Sequence, residues 1–197
     1  MAQQIIELTC PGCGARVTTG QNECEWCHAP VVISTFNSVY LMPMPEVNKY
    51  ARTYQKALVD APDSTELNTS VAMCYLKLKL YDKALLAFER AMEENFDNSE
   101  TFFYAAVCLF GGRRPFQVKK NVVDQALEYL ESAVMIEPRA IYFYFMAFVK
   151  YDFYYMKKLR VNPDYSECLS RAEQFGGVPN ADLDMLSQIM NCEVVVK

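Results

Sequence analysis

The chain has 197 residues, a formal charge of −5 at pH 7, 52% hydrophobic and 22% charged residues. That length holds one ordinary domain plus a small module, and that balance excludes wholesale disorder and a protein that coats nucleic acid through bulk charge. No charged-then-apolar leader opens the sequence, and the longest apolar run, ten residues at 140–149, is too short to span a bilayer, so a cytoplasmic protein is expected, with no membrane contact.

The first element is a cysteine cluster. "CPGCG" (10–14) and "CEWCH" (24–28) place two Cys-x-x-Cys pairs ten residues apart. Pro11 fixes the first turn, and Gly12 and Gly14 permit unusual backbone angles. Arg16–Thr19 has strand character, and "GQNE" (20–23) is a turn. Four thiolates supply the closed tetrahedron of soft donors that zinc takes, so Cys10, Cys13, Cys24 and Cys27 are the predicted ligands of a structural Zn2+. Iron in the same four sulfurs is an alternative that sequence does not separate from zinc. The other four cysteines (Cys74, Cys108, Cys168 and Cys192) are scattered, mostly in apolar stretches, as expected of reduced buried thiols. The doubled spacing resembles a short zinc ribbon over roughly residues 6–35. It departs in carrying His28 where a Gly usually follows the second pair; His28 is expected to be an exposed knuckle residue. Trp26 is expected to pack on the next helix, the alternative being an exposed ring that contacts a partner. With one Arg16 and no Lys through residue 48, the module lacks the charge to hold a phosphate backbone. "VVISTFNSVYLMPMPE" (31–46) is expected to be a strand-and-turn bridge packed on the first helix.

From about residue 46 the period becomes helical. Residues 64–98 hold two apolar-striped segments joined by "LYDK", close to the ~34-residue length of a helix-pair repeat. A second copy follows: Ala84, Phe88 and Ala91 are answered by Ala126, Leu130 and Ala133, then Pro138. Ala72 and Tyr75 are answered by Ala106 and Leu109. Tyr54, Ala57 and Pro62 form an earlier half copy, and Ala147, Tyr151, Leu169 and Ala172 a weaker third. Alanine at a helix crossing permits close approach, and the large neighbour fills the groove. These matches resemble the tetratricopeptide repeat over roughly residues 46–178. Two departures are insertions between paired helices, "GGRRPFQVKK" (111–120) and "MKKLRVNPD" (156–164). Their cations, Arg113, Arg114, Lys119, Lys120, Lys157, Lys158 and Arg160, are predicted to form one basic edge for an acidic partner or phosphate, against the simpler reading of solvated loops. "NADLDMLSQIMN" (180–191) is a predicted capping helix, and "CEVVVK" an extended tail.

The predicted fold is therefore mainly α: an α-solenoid of tetratricopeptide-like helix pairs with a small N-terminal β zinc ribbon. Its segments are 1–35 ribbon, 36–45 bridge, 46–179 repeats, and 180–197 capping helix and tail. The resemblance implies that first helices line a concave groove. Carried over, that groove comprises Glu66, Thr69, Met73, Leu76, Phe103, Val107, Phe110, Tyr144, Phe148 and Tyr151. Either a partner's apolar segment fills it, or the chain's own ribbon, capping helix or tail does. Nine aromatic residues between Tyr142 and Tyr155 exceed one helix face and leave room for a homodimer. No nucleophile–base pair, and no phosphate-cradling Gly loop, accompanies the single His, so no enzyme is expected. The expected function is a protein–protein interaction scaffold or adaptor. The alternative is a nucleic-acid-associated protein using loops 113–120 and 157–160, which local charge alone favours.

Overall fold

The computed structural model describes residues 5–196; residues 1–4 of the expected ribbon and Lys197 of the tail lie outside the described residues. The chain divides into two compact units, Met1–Phe96 and Asp97–Lys197.

The first unit opens with two antiparallel strands, β1 (Glu7–Thr9) and β2 (Arg16–Thr18), in the register Glu7↔Thr18, Leu8↔Val17, Thr9↔Arg16. Alternation buries Leu8 and Val17 on one face. The first cysteine turn is the connection between these strands, so the hairpin closes around Cys10–Cys13 and not within the ten-residue spacer. A short helix, α1 (Asn37–Tyr40), leads into α2 (Met44–Asp60), α3 (Thr65–Lys77) and α4 (Tyr81–Glu94). Pro45 stands in the first turn of α2, where no amide partner is needed, and Pro62 follows its end. The Ser64 hydroxyl caps α3 by accepting from Leu67 N at 3.4 Å.

The bridge is packed, as expected, but its first residues, 31–36, form no strand and Asn37–Tyr40 form the short helix α1. Val31, Ile33, Phe36 and Val39 are buried. Ser70 Oγ of α3 receives the Ile33 amide at 2.8 Å and donates to the Ile33 carbonyl at 3.2 Å. Tyr54 Oη donates to the Val31 carbonyl at 3.0 Å, and Lys77 Nζ to that of Tyr40. Residues 67–76 of α3 are all buried. With α2 and α4 on its flanks and the bridge on the remaining side, α3 has no wet face.

The second unit contains α5 (Ser99–Leu109), α6 (Lys120–Ile136), α7 (Ala140–Lys150), α8 (Tyr165–Gln174) and α9 (Asn180–Met190). A 3-10 turn at Pro115–Gln117 lies in the first insertion, and α7 runs on into a π-helical turn, Tyr151–Tyr155. Paired helices pack closely as α5 with α6 and α7 with α8, as α3 does with α4 in the first unit. The repeat alanines sit at these crossings: Ala72, Ala84, Ala91, Ala106, Ala126, Ala133, Ala147 and Ala172 are all buried. Both Gly-Gly pairs end helices in left-handed backbone: Gly111 and Gly112 after α5, Gly176 and Gly177 after α8.

The π turn explains the aromatic surplus. Its wider spacing, seen in the Met156 amide reaching the Tyr151 carbonyl at 3.1 Å, turns the consecutive side chains Asp152, Phe153 and Tyr154 inward together. Phe103 stacks on Tyr142 (4.8 Å between centroids) and meets Phe145 edge-on at 5.7 Å. Six of the nine aromatic side chains are buried by this chain alone, so their covering requires no second copy.

Candidate metal centre and interaction edge

The Cys10, Cys13, Cys24 and Cys27 sulfurs all lie within 4.8 Å of one another. Cys10 and Cys27 are 3.5 Å apart and Cys13 and Cys24 3.7 Å. A tetrahedron with metal–sulfur bonds of about 2.3 Å has edges of about 3.8 Å, close to both separations. The two turns repeat one hydrogen-bond pattern. Cys10 N donates to Ala15 O (2.7 Å) and Gly14 N to Cys10 O (2.9 Å); Cys24 N donates to Ala29 O (2.9 Å) and His28 N to Cys24 O (2.9 Å). His28 (φ 56°) thus fills the left-handed position that Gly14 (φ 83°) fills in the first turn. It is exposed, as expected of a knuckle residue.

Gly12 is needed for space, not for dihedral freedom. A Cβ there would stand 2.9 Å from Ala29 Cβ and 3.0 Å from Cys27 Sγ. The Trp26 amide, then that of Cys27, holds the Cys24 thiol down at about 7. At Cys27 the Ala29 amide pulls the same way, but burial and the three neighbouring sulfurs prevail and push it up to about 12. Near them lies Tyr50 of α2, whose buried hydroxyl has no hydrogen-bond partner among the described residues. A soft divalent ion fits this donor set. Trp26 does not pack on a helix; it is 78% exposed, because the turn that presents Cys24 and Cys27 inward directs the residue between them outward.

Most residues of the predicted groove are buried within the chain itself. Met73 and Leu76 belong to the enclosed α3 with Thr69, while Glu66 is half-buried. In the second unit Phe103, Val107, Phe110 and Phe148 are buried, whereas Tyr144 and Tyr151 keep partial exposure. The C-terminal segment reaches this unit where Tyr144 Oη donates to the Val194 carbonyl at 3.4 Å. Val194 is fully buried, so the tail is seated, not frayed.

The two insertions meet. Lys157 Nζ lies 3.8 Å from the Phe153 ring centroid and 4.8 Å from that of Phe116, which stands in the other insertion. Asp152, fully buried, accepts from the Phe116 amide at 2.8 Å and forms an ion pair with Arg114. Lys120 pairs with Asp124 at 2.8 Å. Arg113 donates to the Phe110 carbonyl at 3.3 Å. Lys119, Lys158 and Arg160 are exposed, with no ion-pair partner among the described residues. Beside them Phe116, Tyr155, Met156 and Leu159 are each about half exposed. The composition of the insertions signals the cations; the apolar residues among them carry no comparable signal.

Close-packed helix pairs with alanines at their crossings, joined to a four-cysteine β hairpin, define a helical-repeat protein of the solenoid class. No protein-family profile and no curated protein sequence matches the chain. Among solved structures it is similar to MamA. One MamA crystal structure gives a TM-score of 0.57 at 14% identity over 75% of this chain and 78% of that one. MamA AMB-1 gives 0.51 at 20% identity over 74% and 77%, and MamA MSR-1 gives 0.51 at 19% over 66% and 67%. At these identities the likeness carries the fold. Among the described residues no helix is long and apolar enough to cross a membrane.

Proposed function

We propose that the chain is a non-enzymatic protein–protein interaction scaffold, a cytoplasmic adaptor whose four-cysteine module is a zinc ribbon. In this reading Cys10, Cys13, Cys24 and Cys27 hold a structural Zn2+ that substitutes for the core so small a hairpin lacks. Helical repeats present extended surfaces to partners, and most of the predicted groove residues of this chain are already buried. The partner surface therefore moves to the insertion edge. One observation carries it: exposed Phe116, Tyr155, Met156 and Leu159 are interleaved with Lys119, Lys158 and Arg160 on loops tied down by buried Asp152. Exposed apolar side chains on a braced loop, rimmed by cations, suit an acidic segment with apolar anchors. Nucleic acid is the weaker reading, because Arg114 and Lys120 are neutralised within the chain and few cations remain for phosphates. The test is quantitative capture from nuclease-treated native lysate. Wild type is compared with a Lys119→Glu/Lys158→Glu/Arg160→Glu variant of unchanged helicity. Loss of a specific protein from the variant supports the edge; equal capture by both removes it.

A further inference from the structure

Beside that edge, within the second unit, lies a cavity of about 580 Å³, in the size range of small-ligand sites. Its lining includes Lys150, Tyr154, Tyr155, Leu159, Arg160 and Tyr165. Burial gives it a floor and a mouth. Lys150 and Tyr154 are buried, whereas Tyr155, Leu159 and Arg160 stand at the surface. Tyr155 and Tyr165 meet edge-on at 5.1 Å between centroids, and Tyr151 stacks behind Tyr155 at 5.3 Å, making an aromatic wall.

The floor carries a charge that the fold leaves incomplete. Lys150 is only 2% exposed; its ammonium donates to the Pro163 carbonyl at 2.9 Å and lies against the Cys168 thiol. Neither is an anion, and no carboxylate among the described residues makes an ion pair with it. The acid on the lining, Asp164, acts on Lys150 from a distance, while its Oδ1 accepts from Ser166 N (2.9 Å), Ser166 Oγ (2.7 Å) and Glu167 N (3.1 Å) at the start of α8. A buried cation with no ion-pair partner, and only an exposed carboxylate acting on it from a distance, is partly compensated, and an anion entering the cavity lowers the remaining cost.

We infer that this cavity binds a monocarboxylate on an apolar, preferably aromatic, body, with Lys150 Nζ and the Arg160 guanidinium receiving the carboxylate and Tyr155, Tyr165 and Leu159 holding the body. Charge selects the head group. Lys150, Arg160 and Asp164 sum to a single positive charge, which a carboxylate matches and a phosphate dianion exceeds. Arg160 at the mouth can take a carboxylate through two parallel N–H donors. The head group has two sources, a free acid or the C-terminal residue of a peptide. The inference shares Arg160, Tyr155 and Leu159 with the proposed edge but stands or falls by a separate titration.

The probes are 3-phenylpropionate, its isosteric amide, and an acetyl-Ala-Ala-Phe peptide with a free or an amidated C-terminus. Each is titrated into the full chain and followed by calorimetry and by shifts of tyrosine ring resonances. A Kd of about 1 mM or tighter is expected for the acid or the free-terminus peptide, with the neutral counterpart at least about tenfold weaker. Preference for the free-terminus peptide over phenylpropionate assigns the site to a chain end; the reverse order assigns it to a free acid. Lys150→Met, which keeps the buried stem, and Arg160→Gln, which alters only the mouth, should each weaken carboxylate binding by about tenfold or more. No saturable binding of either carboxylate, or equal binding of acid and amide, overturns the inference. So does unchanged affinity in the folded Arg160→Gln variant.

Discussion

Asp152 is the point at which the insertion edge is most exposed to test. Its carboxylate is fully buried in the π turn, accepts from the Phe116 amide at 2.8 Å and pairs with Arg114. Asp152→Ala removes both interactions. The hydrogen bond to the charged acceptor is worth about 1.5–3 kcal/mol. The Arg114 side chain is 51% exposed, so its pairing is discounted to about 1 kcal/mol or less. Relief of carboxylate burial offsets part of the sum, which leaves an expected loss of about 2–3 kcal/mol. Arg114→Ala is expected to cost less, about 1 kcal/mol, because the Phe116 amide still satisfies the carboxylate. The double variant should then cost less than the two single losses added, by a coupling of about 1 kcal/mol or less. Urea denaturation gives these values, and amide exchange localises them: the Phe116 amide should lose its protection in Asp152→Ala. A loss below about 0.5 kcal/mol with Phe116 still protected, against the magnitudes above, would refute the claim that Asp152 braces the edge.

The remaining expectations concern the other parts of the chain. Gly12→Ala forces a methyl to within 3.0 Å of Cys27 Sγ and should weaken zinc affinity by about tenfold or more in chelator competition, whereas a knuckle that tolerates it would show no change. Val194→Asp places a charge at a fully buried tail position; it should cost about 2 kcal/mol and raise amide exchange in 180–196 first. Asp164 is held below the usual carboxylate range by the Ser166 hydroxyl first, then by the Glu167 amide. Its folded value is the lower one, so its contribution is full above the unfolded value and is lost as pH falls through the folded value. Exchange of the Ser166 and Glu167 amides should therefore accelerate on acidification through the carboxylate range, and Asp164→Asn should flatten that dependence.

The helix pairs are legible in the sequence because alanine spacing encodes a crossing directly: a close approach of two helices requires a small residue every turn or so on one face, and little else does. The cysteine turns are legible for a similar reason, since four soft donors at that spacing answer to one geometry. The π turn is not. Its signature is a register slip of a single residue, which only emerges once Asp152, Phe153 and Tyr154 are seen buried side by side. Nor can periodicity tell whether Phe103 and Phe148 face a partner or the chain itself; apolar stripes look alike from either side, and both rings pack on Phe145 of α7, Phe103 from the neighbouring helix pair. Hydrophobicity alone points Trp26 toward packing, although its place between two inward-facing ligands turns it outward. The Lys150 cavity has no local signal, because its lining comes from the end of α7, the second insertion and the start of α8.

The most direct test of the scaffold reading is site-specific photocrosslinking in the native cell. A benzoylphenylalanine placed at Phe116 or Tyr155 on the insertion edge is compared with one at Val59, an exposed position in the first unit. The account predicts a discrete crosslinked partner from positions 116 and 155, lost when Lys119, Lys158 and Arg160 are reversed to Glu, and none from position 59. Crosslinks from position 59 with none from the edge, or edge crosslinks that survive the charge reversal, would contradict it.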